Sequence, residues 1–162
     1  MASASRSWFM PAVSLVLTLA LGVVPLPDSV EPLRPDWVAV VLLYWSLMSP
    51  RRLSLFTAFW MGLAVDTLSG ALLGQNALAL LVIVYIADRF HLRLRVFPVS
   101  QLALTVLVLL GLYEFVLFWV DGIAGRSVPL MERWVPPLTG TLVWLVMVYL
   151  FDRGQREAQA RL

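Results

Sequence analysis

Cysteine is absent from the 162-residue chain, which excludes disulfides, thiolate metal sites and cysteine nucleophiles. Lysine is absent as well, so all 12 basic residues are arginine. A single histidine, His91, leaves no histidine-rich metal centre to consider. Charge is scarce, at 14% of residues against about 25% in an ordinary soluble domain, and 60% of residues are hydrophobic against roughly 45–50%. A chain this short has too little interior to hide that apolar excess, so the excess faces lipid. One domain is the natural reading of the length. No phosphate-binding loop, nucleophile elbow or metal motif occurs. The net charge of +2 does not indicate a nucleic-acid partner. The arginines stand in ones to threes between apolar segments, where they mark topology.

A spanning helix needs about 20 apolar residues. The chain offers six such segments in one membrane domain covering 1–162, with approximate spans 8–26, 36–49, 53–68, 71–88, 99–120 and 135–151. The first has a basic, polar start like a signal peptide, but Pro25-Leu26-Pro27-Asp28 lacks the small residues of a cleavage site, so the helix is expected to be retained. Pro35 is placed to open the second helix, with Asp36 in its first turn, where the dipole favours an anion. The second and third segments are short. A re-entrant hairpin there drags Arg51 and Arg52 into hydrocarbon, at a cost of at least ~2.5–3.5 kcal/mol for a central arginine. Two full spans extending into their flanks are therefore expected. Gly70 and Gly74, with Gln75 and Asn76, mark the next turn. Their spacing satisfies the small-xxx-small form of close helix packing, but in a turn the expected use of glycine is a positive φ angle. Arg89, His91, Arg93 and Arg95 read as a basic loop closed by Pro98, 121–135 as a second loop, and 152–162 as a charged tail.

Arginine placement gives the orientation. With the N-terminus in the cytoplasm, inside segments carry Arg6, Arg51, Arg52, Arg89, Arg93, Arg95, Arg153, Arg156 and Arg161, which is nine; outside segments carry Arg34, Arg126 and Arg133, which is three. Both termini are then cytoplasmic. Trp8, Trp37, Trp119 and Trp134 fall at span ends, as an interfacial belt requires.

Two carboxylates, Asp66 and Glu114, interrupt apolar spans, and both fall in the outer half of this topology. An ionisable group at membrane depth is costly and usually faces the bundle interior. One reading is a polar locus that binds a partner or small ligand. The other is structural, with Asp66 capping a helix end and Glu114 a neutral packing group. Neither has a histidine or lysine nearby for acid–base work, so no catalytic site and no cofactor are expected. His91 reads as a solvated or headgroup-level residue, and Arg51-Arg52 as topology signals.

The tract Leu33–Tyr85 includes Arg34-Pro35-Asp36-Trp37, Leu43-Tyr44-Trp45, Pro50-Arg51-Arg52, Phe59-Trp60-Met61-Gly62, Asp66, Gly70, Leu73-Gly74 and Ala77-Leu78; the fifth span adds Phe118-Trp119 after an acidic residue. This ordered series resembles the MreD family of rod shape-determining proteins. It covers about a third of the chain strongly, and the remainder agrees in length and hydropathy. Glu114 departs from the pattern, where aspartate is expected. The resemblance implies an all-α integral membrane fold similar to the S component of energy-coupling-factor transporters. It also implies a place in the elongasome, which guides lateral peptidoglycan synthesis in rod-shaped bacteria. Expected partners are MreC directly, and MreB and the RodA–transpeptidase synthase directly or through MreC. The expected location is the bacterial inner membrane.

Two functional readings follow. In the first, a non-enzymatic scaffold docks its partner through an outer-side polar cluster of Arg34, Asp36, Trp37, Asp66 and Glu114. In the second, the same cluster lines the pocket of a small-molecule-binding transporter subunit. Against the second, Trp8–Leu26 lacks the Ala-x-x-x-Ala spacing by which many such subunits engage their transport partner.

Overall fold

Apolar stretches separated by proline, glycine and charge form helices, because a helix satisfies its own backbone where no water is available. The computed structural model describes residues 2–25, 27, 31–48, 55–94, 97–126 and 133–159. Among them are six α-helices and no strand: α1 (Ala2–Val23), α2 (Trp37–Met48), α3 (Leu55–Ser69), α4 (Gln75–Leu94), α5 (Val99–Ile123) and α6 (Val135–Gln159). A short 3-10 turn, Glu31–Leu33, precedes α2. Arg51, Arg52, Arg95 and Arg161 lie outside the described residues.

Helix α2 is the axis of the fold. Every residue from Val38 to Leu47 is buried, and the helix packs against α1, α4, α5 and α6. A helix that is apolar all round is buried all round. Its 12 residues make about 18 Å, well short of the ~30 Å hydrocarbon core. The outer helices run in sequence around it, α1 on α3, α3 on α4, α4 on α5 and α5 on α6. Leu42, Leu80, Ile83, Val106, Leu110 and Trp144 fill the interior.

The tightest contact is between α3 and α4. A Cβ built on Gly62 falls 2.2 Å from Ala77 Cα and 2.5 Å from Ala77 N, so only glycine admits this approach. The turn that follows, residues 70–74, holds Gly70 at φ 65° and Gly74 at φ 96°, the left-handed region open to glycine.

Four places differ from the sequence reading. Asp36 is not in the first turn of α2 but immediately before it, with its carbonyl accepting from Val40 N–H at 2.9 Å. The basic segment after residue 88 is helix and not loop: α4 runs on to Leu94, with His91 and Arg93 in its last turn. Cations there oppose the negative end of the dipole. Asp121 likewise belongs to the last turn of α5, and α6 continues to Gln159 through most of the segment read as a charged tail.

Much of the exterior is apolar. Val16 and Leu17 on α1, Phe56 and Trp60 on α3, Leu104 and Val108 on α5, and Leu142 and Leu150 on α6 are all exposed. A soluble monomer rarely shows apolar surface of that extent. Helix α5 is long and apolar enough to cross a membrane, and Met10–Val23, Leu55–Ser69 and Val135–Leu150 form shorter apolar helices.

Candidate functional site: a polar cluster at one end of the bundle

Successive helices alternate in direction, so the C-termini of α1, α3 and α5 meet the N-termini of α2, α4 and α6 at one end. Helix ends carry unsatisfied backbone groups, and polar side chains collect there to meet them.

Arg34 closes the end of α1. Its guanidinium donates to the carbonyl of Leu21 at 2.6 Å and also to that of Gly22, placing a cation on the negative end of the helix. Asp66, 1% exposed, performs the complementary task at the start of α4. One carboxylate oxygen accepts from Gly74 N–H at 2.8 Å; the other accepts from Asn76 N–H and from the Asn76 side-chain amide, each at 2.9 Å. Asp66 therefore caps α4 from the neighbouring helix. Tyr113 extends the chain of bonds by donating its hydroxyl to Asn76 Oδ1 at 2.5 Å.

Two further groups complete the cluster. Asp36 and Glu114 come close enough for their carboxyl groups to interact. Asp121 accepts from Gln75 Nε2 at 2.8 Å and forms a buried ion pair with Arg133. The Arg133 guanidinium also lies 5.9 Å from the centre of the Phe118 ring. The other polar ends, Gln75 Oε1 and Arg133 Nη1, are buried without a hydrogen-bond partner. Within the cluster, among the described residues, four carboxyl groups (Asp36, Asp66, Glu114, Asp121) stand with two guanidiniums (Arg34, Arg133). The helix terminus at Asp66 offsets part of the excess negative charge.

Beside the cluster, between α1 and α3, is a cleft of about 240 Å³. Arg34, Asp36, Trp37 and Tyr113 supply its polar and aromatic lining, and residues such as Leu19 and Val65 supply its apolar wall. The fold thus brings Arg34, Asp36 and Trp37 to one cleft and sets Glu114 beside Asp36. It sends Asp66 to α4, linked to the cleft through Asn76 and Tyr113. The sequence reading missed Gln75, Asn76, Tyr113, Asp121 and Arg133. In the sequence, Gln75 and Asn76 read as turn markers, and Asp121 and Arg133 as loop charges. The available signal was opposite charges flanking one connection between two apolar segments. Among the described residues no group of three metal-binding side chains occurs.

The family model described as rod shape-determining protein MreD matches residues 4–153. A rod shape-determining protein MreD from Haemophilus influenzae (strain ATCC 51907 / DSM 11121 / KW20 / Rd) is 32% identical over 114 residues, 70% of each chain. No solved structure matches the chain.

Proposed function

The chain belongs to the MreD family of rod shape-determining membrane proteins, and from that premise we propose that it is a non-enzymatic scaffold of the elongasome. In this reading it regulates cell shape and lateral peptidoglycan synthesis by holding MreC, and through MreC it reaches MreB and the RodA–transpeptidase synthase. It crosses the inner membrane several times with both termini in the cytoplasm, and the polar end of the bundle faces outward. The observation that carries the proposal is that polar end. Six helix termini converge on a set of groups that includes a buried donor and a buried acceptor still without partners, next to a cleft lined by Arg34, Asp36 and Trp37. Unpaired buried polar groups are costly, and a partner segment that supplies their missing bonds gains what the free protein lacks.

A second reading, a small-molecule-binding transporter subunit with the fold of an S component, uses the same cleft. The cleft volume of about 240 Å³ falls below the ~300–1,000 Å³ of typical ligand pockets, which favours a side-chain-sized occupant. The test is to purify the tagged protein from its own membranes in mild detergent and identify stoichiometric companions by mass spectrometry. MreC, with or without the synthase, is the expected companion. Transporter ATPases with their coupling subunit, or a bound small molecule without any elongasome protein, overturn the scaffold reading.

A further inference from the structure

The opposite end of α4 carries a different kind of surface. Leu78, Val82, Tyr85, Arg89 and Arg93 follow one another at spacings of four, three, four and four residues, which places them on one face of the helix. Leu78 is 50% and Tyr85 57% exposed, and Arg89 and Arg93 are exposed as well. Leu92, at 71%, and Phe90, at 45%, flank the arginines. Neither arginine is in an ion pair among the described residues. The nearest acid along the chain, Asp88, is half-buried, and His91 Nδ1 is held against the Asp88 carbonyl.

This column runs from apolar through phenolic to doubly cationic. Leu78 to Tyr85 spans about 10 Å along the axis and each further step to Arg89 and Arg93 about 6 Å. A phospholipid has the same profile, with acyl chain, then ester region, then phosphate. Like charges one helical turn apart repel, and a phosphate between them removes that repulsion. We propose that this face of α4 is a binding site for an anionic phospholipid, with Arg89 and Arg93 on its phosphate and Leu78 and Val82 along its acyl chain. Tyr85 sits at the level between. Two arginines, with no exposed acid beside them on this face of α4 among the described residues, select a headgroup of net negative charge over a zwitterionic one. The inference rests on membrane embedding alone and not on the scaffold reading.

The absence of cysteine makes the test direct. Leu92→Cys, labelled with a fluorophore, reports on this face in vesicles, where brominated phosphatidylglycerol and brominated phosphatidylcholine are compared as quenchers at equal mole fraction. Phosphatidylglycerol is expected to be enriched at the label, by roughly five-fold for each arginine near the surface. Arg89→Gln or Arg93→Gln in that background should each remove one such factor, and the double variant both. Arg126→Gln, at the other end of the bundle, should change nothing. Equal quenching by the two lipids overturns the proposal, as does a preference that survives either single substitution or disappears in Arg126→Gln. Loss of the preference on adding millimolar inorganic phosphate at constant ionic strength makes the site one for free phosphate and overturns the lipid assignment. The single variants and the unsubstituted labelled protein carry the test even if the double variant does not fold.

Discussion

Asp66 offers the sharpest check on the reasoning. Its carboxylate accepts three hydrogen bonds, from Gly74 N–H and from the backbone and side-chain amides of Asn76, and it is 1% exposed. Within membrane proteins such bonds contribute roughly 0.6 kcal/mol on average and up to about 1.7, so removing three costs about 2–5 kcal/mol. Asp66→Ala is therefore expected to lower the melting temperature in detergent by roughly 4–20 °C, on a scale of about 2–4 °C per kcal/mol for a chain of this size. Asp66→Asn keeps one acceptor oxygen for Asn76. It loses the Gly74 bond and the favourable charge at the start of α4, so its cost is smaller, about 1–3 kcal/mol. Amide exchange at Gly74 and Asn76 should quicken in both variants, and more in Asp66→Ala. Unchanged melting with unchanged exchange in Asp66→Ala would refute the capping assignment. Normal melting with selective loss of partner binding would instead make Asp66 a docking contact.

Three further outcomes follow from the same geometry. Gly62→Ala forces a Cβ into the backbone of α4 and should destabilise the protein by at least about 1–3 kcal/mol. Gly122→Ala, where a Cβ meets nothing within 4 Å, should be neutral or slightly stabilising; equal melting of the two variants contradicts the close α3–α4 contact. Arg133→Met strands Asp121 in a buried site and should cost roughly 3–5 kcal/mol, and adding Asp121→Asn should recover a substantial part of it. A double-mutant cycle by thermal denaturation shows no coupling if the pair is not formed. Tyr113→Phe deletes one buried hydrogen bond to Asn76 and should cost about 0.6–1.7 kcal/mol, read as a melting shift smaller than that of Asp66→Ala.

The legible and illegible parts of the molecule divide along a physical line. Apolar length and scarcity of charge made an all-helical membrane chain readable, because a backbone in lipid has few ways to satisfy itself. Gly70 and Gly74 were readable as turn glycines, since their conformation is a local matter, and both adopt positive φ. The helix ends were less readable. The chemistry of Arg89-Phe90-His91-Leu92-Arg93 looks like loop, yet α4 continues through it, because cations suit the last turn of a helix.

What the sequence alone determined was one-dimensional: which stretches are apolar, where the charges punctuate them, and which family the pattern resembles. The tertiary structure decided which apolar helix is core and which faces outward. Trp37–Met48 and Leu55–Ser69 are both predominantly apolar, but the first is buried along almost all its length and the second exposes Phe56 and Trp60. Hydropathy cannot distinguish a helix wrapped by neighbours from one wrapped by lipid, since both surroundings are apolar. Pairing was settled there too. Glu114 comes beside Asp36, Asp66 bonds to Asn76, and Asp121 bonds to Gln75 and Arg133. Each of these pairs joins separate segments of the chain, and only the packing of the helices brings the partners within reach.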